Sequence, residues 1–141
     1  MKLKLLFTFL TLFPAATLPV FATDTGADKL LDAYTAVSGA LAADDLEAAQ
    51  KAAVELAAAA KSVHPELAKE AQAVAESDSL ETAREKFKPL SQHAVKLAEG
   101  KEGYFVMTCL MAVGDWVQTE KQVANPYCGS SMLRCGGLKK Q

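Results

Sequence analysis

Cysteine is missing from the first 108 of the 141 residues, and the whole chain has only two histidines and one tryptophan. Familiar catalytic and cofactor motifs are missing as well, since the sequence has no Gly-x-Ser-x-Gly, no phosphate-binding glycine loop and no Cys-x-x-Cys-His haem attachment site. It also lacks the close cysteine pair of a thioredoxin-like oxidoreductase. These absences predict that the protein is not an enzyme.

Clustered positive charge is also missing. The chain has 15 lysines and arginines against 17 acidic residues, which gives a formal net charge of −2. The basic residues form no stripe or cluster, so nucleic acid and anionic lipid are poor partners. We therefore expect no nucleic-acid partner.

The first residues are typical of a secretory signal peptide. Lys2 and Lys4 precede an apolar stretch over residues 5–14, and the run Val20-Phe21-Ala22 places small residues at the positions that a signal peptidase reads. We expect cleavage after about Ala22, export to the periplasm and a single domain over residues 23–141. The apolar stretch is too short and too interrupted by proline for a membrane span, so no stable membrane anchor is expected after cleavage.

Apolar residues recur at helical spacing between Thr25 and Glu99. In the first two segments the residues at this spacing are Leu30, Leu31, Tyr34, Val37, Ser38 and Leu41, then Leu46, Ala49, Ala53, Leu56, Ala57 and Ala60. Helix-start signals follow at Asp44 or Asp45, at Pro65, and at Ser77 or Ser79. The pattern predicts an antiparallel bundle of three to four helices over about residues 26–100, with Pro89 kinking or dividing the last helix. No apolar heptad is sustained, which argues against a coiled coil.

The composition changes after Gly100. Residues 103–137, which we call the C-terminal cap, contain all three cysteines, three of the four methionines and the tryptophan. Residues 103–107 favour a strand or extended segment, and residues 125–131 favour turns. The predicted fold is therefore mainly α, with a short irregular cap that contains one or two short extended segments.

Two pairs of sulfur residues in the cap indicate a soft-metal site. Cys109 and Met111 share one side of an extended segment, and Met132 and Cys135 share one face of a helical turn. Two thiolates and two thioethers prefer Cu(I) to hard cations. The prediction is a Cu(I) site with these four ligands, and Ag(I) or Zn(II) are alternatives.

Four other residues are candidates for shielding or accessory roles at this site: Trp116, Tyr127, Cys128 and His93. An aromatic face attracts a partly desolvated cation, although such rings more often serve as packing residues. A zinc site would need the three cysteines and His93 as ligands, but the sequence shows no spacing typical of zinc ligands. The usual alternative for His93 is a partly exposed histidine on a helix.

A disulfide between Cys109 and Cys135 is the alternative to a metal site, because the expected compartment is oxidising. Such a bond would attach the C-terminal cap to the bundle and contribute about 3–4 kcal/mol in the chain-entropy model. Met111 and Met132 would then fill the core, and Cys128 would be free or used for dimerisation. The protein would be a non-catalytic structural or interaction domain.

The cap resembles the signature of an exported bacterial family. The sequence Cys-Leu-Met from Cys109, then Trp116, then Asn-Pro-Tyr-Cys-Gly-Ser-Ser-Met-Leu-Arg-Cys-Gly from Asn125 is similar to Cys-Pro-Met, Trp-Leu and Asn-Pro-Tyr-x-Gly-x-x-Met-Leu-x-Cys-Gly of the DUF3347 family. The upstream Phe-Lys-Pro-Leu-Ser is similar to that family's Phe-x-x-Leu-Ser, so the resemblance covers about residues 28–138. Leu110 replaces the family's proline, and Cys128 replaces a position that is usually aromatic.

The resemblance implies a helical bundle with a sulfur-rich cap, found alone or beside copper- and silver-efflux membrane-fusion proteins. The matching positions are the sulfur residues Cys109, Met111, Met132 and Cys135 and the turn residues Asn125, Pro126, Tyr127, Gly129 and Gly136. The expected function is therefore a periplasmic Cu(I)-binding module for copper buffering, delivery or efflux. Its expected partner is a heavy-metal efflux membrane-fusion protein or another periplasmic copper protein.

Overall fold

Four helices form the larger part of the computed structural model, which describes residues 25–140. They are α1 (Thr25–Ala42), α2 (Leu46–Ala60), α3 (Pro65–Ala75) and α4 (Leu80–Ala98). Each helix packs on the next, and α4 also packs on α1. The predicted helical bundle is confirmed. The predicted signal peptide, residues 1–22, lies outside the described residues.

The helix starts follow the signals in the sequence. The Asp45 carboxylate accepts a hydrogen bond from the Ala48 N–H at 2.9 Å and caps α2, while the Ser79 hydroxyl accepts one from the Thr82 N–H at 3.2 Å and caps α4. Pro89 does not divide the last helix, one of the two outcomes predicted for it, because α4 is continuous through it. Pro89 is exposed, so water can bond the carbonyl that lacks an N–H partner. Within residues 25–140, no helix has both the length and the apolar character needed to cross a membrane.

A small antiparallel sheet lies in the C-terminal cap. Its strands are β1 (Phe105–Cys109), β2 (Gly114–Gln118) and β3 (Gly137–Leu138), in the order β2-β1-β3. A short 3₁₀ helix, Gly129–Met132, lies between β2 and β3. The sequence predicted one or two short extended segments, and the described residues contain three strands. The additional strand is the two-residue β3, which has no strand pattern of its own and forms only by pairing with β1.

The core runs without a break from the helices into the sheet. The Tyr34 and Phe87 rings stack with centroids 5.3 Å apart, Phe87 meets Tyr127 at 5.6 Å, and Tyr127 meets Trp116 edge-on at 6.0 Å. Trp116, Tyr34 and Phe87 are fully buried. This row of aromatic rings holds the cap against α1 and α4.

Polar contacts fix β2 against the same two helices. Ser91 on α4 donates its hydroxyl to the Asp115 carbonyl at 2.8 Å, and the Tyr34 hydroxyl is hydrogen-bonded to Ser91. The Val117 N–H in turn donates to the Tyr34 hydroxyl at 3.4 Å. Buried hydroxyls are satisfied here by backbone groups of β2, so the sheet has a defined position on the bundle.

Candidate thiol site

Cys109 and Cys135 meet at the end of the sheet, with their sulfur atoms 3.1 Å apart. Cys109 is the last residue of β1 and is buried, with 2% of its surface exposed. The pairing of Thr108 with Gly137 brings the residues just before β3 alongside it, and so places Cys135 next to Cys109. The sequence predicted both residues in one site, and the structure brings them together.

Gly136 makes this approach possible. Its φ of +121° lies in a region that residues with side chains rarely adopt. A Cβ atom there would lie 2.7 Å from the Thr108 carbonyl oxygen and 2.9 Å from the Trp116 ring. A glycine is therefore required where the chain passes from Cys135 into β3.

Hydrogen-bond donors surround the Cys109 sulfur. The Ala112 N–H donates to it at 3.4 Å. Burial alone would raise the pKa of Cys109, but the Ala112 N–H, the Cys135 thiol, the Met111 N–H and the Asn125 side chain together lower it. Donors to a sulfur anion favour the thiolate, so Cys109 is the group in this pair that loses its proton first.

Cys109 raises the pKa values of the other two thiols. Its hydrogen bond, and to a lesser degree burial and its charge, raise the pKa of Cys135. Burial is the main cause that raises the pKa of Cys128, and the charge on Cys109 and a hydrogen bond to it act in the same direction. The three thiols therefore form one interacting group with Cys109 at its centre, which we call the thiol cluster.

Asn125 is fully buried and forms hydrogen bonds to the backbone of two cysteines of this cluster. Its Nδ2 donates to the Cys135 carbonyl at 2.8 Å, and its Oδ1 accepts the N–H groups of Tyr127 at 2.9 Å and Cys128 at 3.2 Å. From sequence this residue was only part of a turn. The Asn-Pro pair is a signal for such a turn, since an asparagine side chain often bonds the backbone two residues on, but its link to Cys135 depends on the tertiary fold.

Arg84 fastens the Asn125–Met132 loop to the helices, a role the sequence did not reveal. Its guanidinium donates to the Pro126 carbonyl at 2.9 Å and to the Leu41 carbonyl at 2.9 Å, and it forms an ion pair with Asp44. The Ser130 N–H donates to the Asp44 carboxylate at 3.0 Å. Hydrogen bonds from the Ser130 side chain, Arg84 and the Ser130 backbone, in that order, lower the pKa of Asp44 to about 2.

The helical part of the chain identifies its family. The family model described as protein of unknown function (DUF3347) matches residues 30–103. The chain belongs to the DUF3347 family. No curated protein and no solved structure matches it. The matched residues extend from α1 to the start of the cap, so the thiol cluster of this DUF3347 protein lies beyond the matched region.

The two methionines of the predicted site lie next to the thiols along the backbone, with exposed side chains. β1 ends at Cys109, so Met111 lies in the β1–β2 turn and the prediction of an extended segment through it is wrong. The Met111 side chain is 73% exposed and that of Met132 is 43% exposed. The Cys135 N–H donates to the Met132 carbonyl at 2.9 Å, which keeps Met132 within one turn of the thiol pair.

The predicted shielding and accessory residues lie in different surroundings. Trp116 is fully buried, and it packs against the Gly136 backbone on the same side as Cys109. The Tyr127 hydroxyl donates to the Asp115 carbonyl at 2.6 Å. The structure pairs His93 with Glu70 of α3, with 2.6 Å between Nδ1 and Oε2.

Two surface grooves give access to the thiol cluster. One of about 520 Å³ lies between α4 and the β1–β2 turn, and its lining includes Cys109, Leu110 and Val113. The other, of about 530 Å³, is lined by Arg84, Cys128 and their neighbours. Across residues 25–140, no group of three or more histidine, cysteine, aspartate or glutamate side chains has the arrangement of a metal site.

Proposed function

We propose that this DUF3347 protein is a periplasmic module that binds one soft metal ion, Cu(I), through the thiolates of Cys109 and Cys135. Its role would be to buffer copper or to deliver it to a heavy-metal efflux membrane-fusion protein or another periplasmic copper protein. The observation that carries this proposal is the pair of thiols 3.1 Å apart, of which Cys109 also accepts a hydrogen bond from the Ala112 N–H. Thiolates are the ligands that favour soft ions.

Proton chemistry supports uptake by this pair. The donors that lower the pKa of Cys109 make a thiolate available, and the proton of Cys135 leaves when the ion binds. The pKa of Cys135 is raised, so acid competes with the ion for this sulfur. Metal affinity is therefore expected to fall as pH decreases through the neutral range.

The small number of ligands favours Cu(I) over zinc. Structural zinc usually takes four nitrogen or sulfur ligands, and the zinc alternative for this chain needs His93, which is paired with Glu70. Two thiolates with one or two thioethers suit a soft ion of low coordination number. Met111 and Met132 have exposed, unbranched side chains, which can rotate to supply the thioethers.

Binding requires only a small movement. With metal–sulfur bonds of about 2.3 Å, two sulfurs lie about 3.8 Å apart at a tetrahedral ion, about 4.0 Å apart at a trigonal one and about 4.6 Å apart at a linear one, whereas Cys109 and Cys135 are separated by 3.1 Å. Cys109 is held in β1, but Cys135 lies between the 3₁₀ helix and β3 without regular secondary structure. The Cys135 side chain can therefore rotate outward while Asn125 holds its backbone carbonyl and the sheet remains intact.

The test is an anaerobic titration of the fully reduced protein with Cu(I) in competition with a colorimetric chelator. The proposal predicts that one equivalent is withheld from the chelator and that Cys109→Ser and Cys135→Ser abolish this competition. Cys128→Ser is the matched thiol control and should retain it. If the wild-type protein withholds no Cu(I), the metal proposal is wrong.

The methionines are tested separately with conservative variants. Met111→Leu and Met132→Leu should each weaken Cu(I) binding by about tenfold, a change typical of residues that support a metal site. Met107→Leu is the control, because Met107 on β1 is only 1% exposed and belongs to the core. Equal affinity in all three variants would restrict the site to the two thiolates.

The same 3.1 Å separation favours one other function. A modest approach of the sulfurs would form a Cys109–Cys135 disulfide, and the chain would then be a helical structural or interaction domain with a stabilised cap. Under this alternative, Met111→Leu changes stability slightly and has no effect on metal uptake. The Cu(I) titration therefore distinguishes the two functions.

A further inference from the structure

The third thiol, Cys128, has no part in the proposed two-thiolate site, yet the fold places it beside Cys109. The Ala112 N–H bonds the Cys109 sulfur at 3.4 Å, and Ala112 and Cys128 line the same groove. Asn125 binds the Cys128 N–H through one end of its amide and the Cys135 carbonyl through the other. Burial and, to a lesser degree, the nearby charge on Cys109 raise the pKa of Cys128, as expected for neighbouring thiols.

We propose that Cys109 is the central sulfur of a thiol–disulfide exchange site, forming a disulfide with Cys135 in one state and with Cys128 in another. This activity is independent of metal binding, because it needs only the three thiols. Cys109 is the attacking group, since backbone N–H donors stabilise its thiolate.

Oxidation would proceed by two exchange steps with a small external disulfide such as oxidised glutathione. The Cys109 thiolate, whose proton has passed to water, attacks one sulfur of that disulfide, so that a mixed disulfide forms and one glutathione thiolate leaves and takes up a proton from water. The Cys135 sulfur then attacks the Cys109 sulfur, the second glutathione thiolate leaves, and the Cys135 proton passes to it. The protein loses two electrons, which reduce one glutathione disulfide to two thiols.

An internal exchange then connects the two states. The Cys128 thiolate attacks the Cys109 sulfur, the bond from Cys109 to Cys135 breaks, and Cys135 leaves as a thiolate that takes up the proton lost by Cys128. No external electrons are needed for this step. Cys109 lines the groove beside α4 and Cys128 lines the groove with Arg84, so the second disulfide would connect the linings of the two grooves.

The sequence makes this proposal easy to test. Trypsin cuts after Lys101, Lys121, Arg134 and Lys139, so each cysteine is released on its own peptide, namely residues 102–121, 122–134 and 135–139. The reduced, metal-free protein would be equilibrated with reduced and oxidised glutathione, quenched with acid, alkylated and digested without reductant. Mass spectrometry of the linked peptides then assigns every disulfide directly.

The expected result in the wild-type protein is two linked species, 102–121 with 135–139 and 102–121 with 122–134. Cys135→Ser should lose the first species and accumulate the second, while Cys128→Ser should show only the first. Cys109→Ser should link none of its peptides and carry glutathione on its two remaining cysteines. Circular dichroism checks that each variant is folded.

Two results would overturn the proposal. One is the absence of the 102–121 with 122–134 species from both the wild-type protein and Cys135→Ser. The measurement on the wild-type protein does not depend on whether any variant folds. The other is a link between 122–134 and 135–139 in Cys109→Ser at the level of the wild-type links, which would show that Cys109 is not the central sulfur.

Discussion

At the scale of single residues, Asn125 decides where the cysteines lie. It is fully buried, and its amide bonds backbone groups on both sides of the Tyr127–Cys135 loop. These are the N–H groups of Tyr127 and Cys128 and the carbonyl of Cys135. Each buried backbone group needs a partner, so Asn125 ties two of the three cysteines to one point.

Replacing this amide should destabilise the protein. Asn125→Ala leaves two N–H groups and one carbonyl without their partner, and we expect a loss of about 3 kcal/mol from the free energy of unfolding. Urea denaturation measures this loss. Gln122→Ala, at an exposed position of the same segment, is the control and should change stability by less than about 0.5 kcal/mol. Equal urea midpoints for the two variants would contradict the role given to Asn125.

Gly129 is a second residue whose identity the fold requires. Its φ is +54°, and a Cβ atom there would overlap the Asp44 carboxylate and the Arg84 guanidinium. Gly129→Ala should therefore cost at least about 3 kcal/mol, because backbone strain and a steric clash add. Gly103→Ala is the matched control, since Gly103 has a φ of +85° with no neighbouring atom within 4 Å.

The control isolates the clash from the strain. Gly103→Ala should lower the free energy of unfolding by only about 1 kcal/mol, because its only effect is to place a side chain in the left-handed region. Thermal or urea unfolding of both variants gives the difference. If the two glycine variants lose the same stability, then the Asp44–Arg84 pair does not lie against Gly129 as the structure has it.

At the scale of elements, the turn between β1 and β2 is the most strained part of the cap. Val113 has a φ of +48° although it is β-branched and 80% exposed. Such a conformation costs energy that burial of the side chain does not offset, and strained backbone is often associated with a functional site. The turn also supplies the Ala112 N–H to the Cys109 sulfur, so its shape supports the thiolate.

A residue suited to this conformation should stabilise the turn. Val113→Asn is expected to raise the free energy of unfolding by about 1 kcal/mol, because asparagine tolerates positive φ and little apolar contact is lost. Leu110→Asn, at a position that is 90% exposed, should have almost no effect. A Val113→Asn variant no more stable than the Leu110→Asn variant would argue against the strained turn.

Helices and sheet differ in how far the sequence predicts them. Asp45, Pro65 and Ser79 mark helix starts through contacts within a few residues, and local contacts are visible in a sequence pattern. The two residues of β3 pair only with β1, about thirty positions away. Nothing in Gly137–Leu138 alone indicates a strand, so the sheet and the position of Met111 in its turn became clear only from the fold.

The site was predictable to a similar degree. Residue chemistry was enough to select Cys109 and Cys135 as one site, because sulfur is concentrated in the cap. The contribution of Arg84 was not, since it joins the Pro126 carbonyl to the helices across more than forty positions. Ordinary surface arginines show the same local pattern, so no sequence signal distinguishes this one.

At the scale of the whole molecule, the oxidation state of the cap should govern stability. A Cys109–Cys135 disulfide closes a loop that contains most of the cap, and oxidation should stabilise the protein by about 3–4 kcal/mol in the chain-entropy model. Urea unfolding with and without reductant measures this difference. Cys109→Ser is the control and should show the same stability under both conditions. No difference in the wild-type protein would mean that the pair stays reduced or that its oxidation strains the sheet.

The row of aromatic rings from Tyr34 to Trp116 joins the cap to the helices, so a change in the stability of the cap affects the stability of the whole chain. The cap and helices share one core, so the sheet cannot move as a separate unit. A metal ion bound at the thiol pair should therefore stabilise the folded chain as a whole, to the extent that it binds the native state more tightly than the unfolded chain.

The central claim is that sulfur from the Cys109–Cys135 pair binds a soft ion, and X-ray absorption at the copper edge tests it most directly. The reduced protein would receive one equivalent of Cu(I) without oxygen and then be desalted. The account predicts retained copper with a first shell of sulfur alone, and loss of copper in Cys109→Ser. A shell of nitrogen or oxygen, or copper removed by desalting the wild-type protein, would contradict it.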